Sequence, residues 1–174
     1  EFDLYIVDNP ALLDLVGLDL ITHAREVQVR NNALLKSMVG LGGLESVSLN
    51  LYIMDNPGLV DLTGLGSLTN ARIFRIENNP SLLALTGLDS LKTISQALQI
   101  GNCTTAGNAV LTDLHGLEQL ETVKGLAVSS NAALTSLDGL DSLGSLGGLW
   151  VQFNPKLPPA GASALAAKFK TQGL

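Results

Sequence analysis

An asparagine returns along the chain at Asn9, Asn32, Asn56, Asn79, Asn108, Asn131 and Asn154, with successive spacings of 23, 24, 23, 29, 23 and 23. Other residue types keep a fixed distance from it. A leucine follows three residues later each time, from Leu12 to Leu157. Six residues later stand Leu15, Met38, Leu62, Leu85, Leu114 and Leu137. Eight residues later comes glycine (Gly17, Gly40, Gly64, Gly87, Gly116 and Gly139), and each of these is followed by leucine. A unit this short has no second layer on which to bury its apolar side. It must stack on copies of itself, and self-similarity at this period therefore dictates a solenoid.

The rest of each unit says what kind of solenoid. Before each anchor runs a short alternating segment, such as Leu4-Tyr5-Ile6, Val27-Gln28-Val29, Leu51-Tyr52-Ile53 or Leu149-Trp150-Val151. Period-two alternation rich in β-branched residues reads as a half-buried strand. Stacked units lay these strands side by side, about 4.8 Å apart, in a parallel sheet about 30 Å long. The leucines point inward, the glycines serve a turn of positive φ or a close approach between coils, and the asparagine amides satisfy turn backbone groups as a ladder. The expected fold is mainly β: a leucine-rich, right-handed parallel β-solenoid of about seven coils of 23–24 residues with a C-terminal capping helix. With no interior linker, residues 1–174 form a single domain, of which 157–174 are the cap. Pro158-Pro159 end the pattern, and the helix formers of Ala160 to Lys170 place Leu165, Ala166 and Phe169 over the last coil. At the other end the chain enters directly into its first strand without a polar cap. The expectation is a fragment of a longer protein, or an end that docks on something, including another copy.

Composition narrows the partners. Hydrophobic residues are 46% of the chain but aromatics only 4%, so Leu, Ile and Val must build the core. A net charge of −6 and a pI near 4.7 disfavour nucleic acid and anionic membrane surfaces. No run of 18 apolar residues is present, so no direct membrane insertion is expected. The single cysteine, Cys103, has no internal disulfide partner.

The Val27-x-Val29-x-x-Asn32 pattern and its counterparts resemble the leucine-rich repeat superfamily. The three-residue step from Asn to Leu, with the Gly87-Leu88 to Ile94 half, is closest to receptor L-domain-like repeats of surface proteins. The resemblance runs from Leu4 to Leu157. Receptor lobes of that group usually carry disulfides, which this chain lacks. What the resemblance implies is the fold and an extracellular or cell-surface recognition role, not a hormone-receptor one.

Residues that carry chemistry are few. Nucleophilic catalysis needs a Ser or Cys held against a histidine. The two histidines, His23 and His115, have no such motif beside them, and Cys103 has no neighbouring base. Carboxylates recur in two columns: Asp8, Asn31, Asp55 and Asn78 before the anchors, and Asp14, Ser37, Asp61, Ala84 and Asp113 after them. Calcium favours oxygen ligands, but a neutral coil separates the aspartates, and Asp and Asn suit tight turns in their own right. No catalytic residue, metal or cofactor is expected. The one long spacing between anchors, Asn79 to Asn108, marks an insertion near Gly101 to Gly107, read as a protruding polar loop that includes the glycosylation acceptor pattern at Asn102.

The outward strand positions carry the functional expectation. One column reads Tyr5, Gln28, Tyr52, Arg75, Gln99, Ala127 and Trp150, and the next Val7, Arg30, Met54, Glu77, Ser129 and Gln152. Tyr, Trp, Met and Arg concentrate at interface centres. Tyr5, Tyr52, Arg75, Trp150, Arg30 and Met54 are therefore the candidate residues of a non-enzymatic recognition module for a protein or glycan. The alternative is a structural spacer or self-assembling scaffold without a specific ligand, stacking through the uncapped N-terminal coil.

Overall fold

In a computed structural model, which describes residues 1–103 and 107–170, the chain forms seven parallel strands in one sheet, ordered β1 to β7 as in the sequence. They are β1 (Asp3–Val7), β2 (His23–Arg30), β3 (Ser46–Met54), β4 (Asn70–Glu77), β5 (Thr93–Ile100), β6 (Thr122–Ser129) and β7 (Ser145–Gln152). Seven strands enclose about six turns of solenoid rather than seven complete coils, and α1 (Pro159–Lys170) ends the described fold.

The register confirms the alternation. Leu4, Val27, Leu51, Phe74, Leu98, Leu126 and Leu149 pair in one inward row, and Ile6, Val29, Ile53, Ile76, Ile100, Val128 and Val151 in another. Across the middle coils these residues and the turn leucines are fully buried. The extra residue of the longer unit between Asn32 and Asn56 is absorbed as a register shift within β3. The longest spacing is divided: Asn70 pairs with Thr93 but Ile76 with Ile100, so one extra residue sits in β5 and five between Ile100 and Asn108.

Both residue types that mark the repeat have visible work. Asn79 Nδ2 donates to the Ile53 carbonyl one coil back at 3.0 Å, while its Oδ1 accepts the Asn56 backbone N–H at 3.1 Å. The same pair of bonds recurs at Asn32, Asn56, Asn108 and Asn131, so buried turn backbone is satisfied coil by coil. Gly64 has φ 113°, and a Cβ there would lie 2.0 Å from the Met38 carbonyl oxygen of the preceding coil. Glycine is required there for conformation and for space.

Proline at the helix start is suited to α1, because its missing N–H would be unpaired there anyway. Phe169 is buried, and Ala162 and Leu165 pack on the core beside it. Ala166 is half-buried and lines a shallow cleft with Leu149 and Val151. The expected helix is thus present, and residues 171–174 of the expected cap lie outside the described residues.

Candidate functional site

Parallel pairing converts the outward sequence positions into rows running along the sheet. Tyr5, Gln28, Tyr52, Arg75, Gln99, Ala127 and Trp150 are successive register partners. Tyr5 is 55% and Trp150 58% exposed, with Tyr52 and Arg75 half-buried between them. The Arg75 guanidinium lies over the Tyr52 ring, 5.3 Å from its centre, in a cation–π contact. Arg30 and Met54 are register partners in the next row, both half-buried. The six candidate residues therefore share one face, although Tyr5 and Trp150 stand on opposite edge strands.

The β1 end of this face is charged. Asp3 takes an ion pair from Arg25, and the Tyr5 hydroxyl donates to the same carboxylate at 3.4 Å. Reduced solvation, and then the negative charges of Asp3 and Glu26, hold the Tyr5 phenol above its ordinary pKa, so it remains a neutral donor. The β7 end is built differently. A third outward row reads Asp3, Glu26, Asn50, Ile73, Ala97, Gly125 and Gly148 and loses its side chains toward the end of the sheet. The Trp150 indole occupies the vacated space. A Cβ on Gly148 would lie 2.7 Å from Trp150 Cη2, and one on Gly125 would lie 3.3 Å from Cζ3. The benzo ring of the indole thus lies over Gly148 of β7, with its rim near Gly125 of β6. Sequence reasoning overlooked this floor, although its signal was present: Gly148 precedes Trp150 by two residues and so shares its side of the strand.

Another part of the outward face is covered rather than open. Glu77 is only 1% exposed and Ser129 2%, where both were expected to point to solvent. The described ends of the insertion cause this. Gly101 and Gly107 are buried, and a Cβ on either would clash with the carbonyl of Ser129 or Ser130. The insertion therefore lies down at these ends instead of simply protruding. Asn102 Nδ2 donates to Glu77 Oε2 at 2.6 Å, and Arg75 Nε is 3.9 Å from Glu77 Oε1. A glycan attached at Asn102 would have to displace that bond to Glu77. Thr104, the third residue of the acceptor pattern, lies outside the described residues.

Elsewhere the turn residues have local tasks. Asp8, Asn31, Asp55 and Asn78 all adopt the left-handed conformation, with φ between 51° and 61°. Asn31 and Asn78 donate to the carboxylates of Asp8 and Asp55, at 2.8 and 2.7 Å. Asp14, Asp61 and Asp113 each accept the backbone N–H two residues on, which closes a turn. Among the described residues, no group of three or more His, Cys, Asp or Glu is arranged to hold a metal. Phe153 also has a left-handed backbone (φ 57°) and is exposed, an uncommon conformation for a bulky residue.

His23 and His115 are exposed, far apart in the sequence. Thr22 Oγ1 lies 2.9 Å from His23 Nδ1, with Glu45 3.8 Å from its other ring nitrogen. Glu118 Oε1 lies 2.8 Å from His115 Nδ1, and that hydrogen bond, helped by the charge of Asp113, raises the imidazole pKa. Burial pushes Glu118 up, but the bonds from His115 and from backbone N–H groups outweigh it and hold the carboxyl low. Cys103 is an exposed free thiol. Among the described residues no helix is long and apolar enough to cross a membrane. Compared with protein-family models, curated proteins and solved structures, the chain matches none of them.

Proposed function

We propose that this chain is a non-enzymatic recognition domain of a surface or secreted protein, which binds a protein or glycan through the outward face of its parallel sheet. The repeat resembles the leucine-rich repeat superfamily, closest to its receptor L-domain-like members, and the extracellular setting rests on that resemblance alone. The observation that supports a binding role is the row itself. Tyr5, Tyr52, Arg75 and Trp150 stand in register on a sheet face, with two aromatic rings more than half exposed. Exposed aromatics and arginine on a rigid scaffold provide contact area at little conformational cost. The absence of catalysis is part of the same reading: both histidines are spent on exposed carboxylate contacts outside this row.

The competing scaffold reading has an observation of its own. Leu13, Val16 and Leu20 of the first coil are exposed, Leu20 to 94%. A surface of this kind favours association.

Affinity capture from native surface or culture extract decides between them, with the domain as bait beside a folded Tyr52→Ser/Trp150→Ser variant. The expected result is a partner, identified by mass spectrometry, that the parent retains and the variant loses. Equal capture by both, together with concentration-dependent mass in sedimentation, would replace recognition by scaffolding.

A further inference from the structure

We propose that the β5–β7 end of the outward face is a subsite for a neutral glycan, with Trp150 as its stacking platform. This rests on the recognition reading above and names the ligand class for one end of the face. The first argument is the posture of the ring. Side chains absent at Gly125 and Gly148 leave room for the benzo ring of the indole to lie over Gly148 with its rim near Gly125, while the residue stays 58% exposed. The negative face of an aromatic ring attracts the polarised C–H groups of a pyranose, and an exposed indole already in contact with the strand beneath it loses little further freedom on stacking.

Charge distribution supplies the second argument. Strands β5, β6 and β7 together include a single charged side chain, Lys124, which lies along Gly147 at the margin. Asp3, Arg25, Glu26 and Arg30 are gathered at the other end of the sheet. Around Trp150 the outward groups are instead the amides of Gln99 and Gln152, with Ala127 forming a step in the row between Gln99 and Trp150. A few uncharged donors and acceptors beside an apolar plane match a neutral polyhydroxylated ring. An anionic ligand would find only one cation, and a cationic one no carboxylate on these strands.

The chain has one tryptophan, so its emission reports this subsite directly. The probes are cellohexaose, chitohexaose and a mannohexaose, with a sulfated heparin hexasaccharide as anionic comparator. Expected is a saturable change in Trp150 emission with at least one neutral oligosaccharide, at dissociation constants of about 0.1–5 mM, and no comparable change with heparin. By calorimetry, Trp150→Ala should weaken that binding at least tenfold while Leu83→Ser, at an exposed turn position outside the row, leaves it within about twofold, and Trp150→Tyr should restore part of it. Circular dichroism confirms that each variant is folded. Silence from all three neutral probes at 10-fold above that range, or binding unchanged in Trp150→Ala, would overturn the glycan subsite. If the affinity-capture experiment still yields a protein partner lost in the double variant, recognition survives and only the ligand class falls.

Discussion

At the scale of single residues, two repeated types do different physical work, and each can be tested against its own control. Asn79 lies mid-ladder and fully buried, and it satisfies the Ile53 carbonyl and the Asn56 N–H at once. Asn79→Ala leaves a buried acceptor and a buried donor without partners. At about 1–3 kcal/mol for each such group, partly relieved by entering water, the expected loss is about 2–4 kcal/mol. Urea unfolding followed by circular dichroism measures it, and a loss below about 1 kcal/mol would mean the ladder is ornamental. Glycine supplies a sharper contrast. A Cβ at Gly64 meets Met38 backbone on a φ of 113°, whereas one at Gly66, two residues on, meets nothing within 4 Å. Gly64→Ala should cost about 3 kcal/mol or more, from strain and a backbone collision together. Gly66→Ala should stay within about 0.5 kcal/mol in the same assay. Equal effects would detach the repeat glycine from the close approach between coils.

For whole elements, α1 is the part whose role is most clearly local. Phe169 is buried against the last coil, and the helix contacts only β7 among the strands. A solenoid passes stability between nearest neighbours, so Phe169→Ala should remove about 3 kcal/mol from the C-terminal coils, toward the low end for Phe because the Lys168 ammonium lies over the ring, 5.8 Å from its centre. Hydrogen exchange locates that loss. Amides of Leu146 and Val151 in β7 should lose protection, while those of Val47 and Ile53 in β3 should retain theirs. Uniform loss along the sheet would show the domain to be one cooperative block. Elements were also where the sequence was most legible. The strands and inward rows follow from alternation, and the helix from its composition after Pro158-Pro159. The outward face was less so. Alternation says that Glu77 points away from the core, but it is buried, and Asn102 of the next coil donates to its carboxylate. That packing depends on where five inserted residues go, which no period encodes. Likewise, Trp150 was visible as an outward aromatic, but its floor needs the register of two strands, Gly125 against Gly148. The functional reading, resting on that face, remains a proposal open to the capture and titration experiments.

For the molecule as a whole, the decisive property is translational: each coil sees nearly the same neighbours as the next. Removing one unit in phase should therefore leave a shorter molecule of the same kind. Deletion of 56–78 takes out one full repeat and joins Asp55 to Asn79. The left-handed residue before the anchor, the anchor itself, Leu82, Leu85 and Gly87 then follow β3 as their equivalents did before. The Asn32 N–H meets Asn79 Oδ1 in place of that of Asn56. What disappears is one strand, the stack of Arg75 on Tyr52, and one interface between coils. The protein should remain folded and cooperative, with a urea m-value lower by about a seventh because m scales with the surface exposed on unfolding. Deletion of 56–82 overruns the repeat and brings Leu83 to the place of the asparagine. At the junction that chain has no amide for its rung of the ladder and too short a segment to close the coil, so it should lose the cooperative transition. A globular core would be broken by either deletion, since neither ending respects a three-dimensional packing that is not periodic. Similar damage from both would therefore remove the solenoid's defining claim, that stability is assembled coil by coil from contacts with the next.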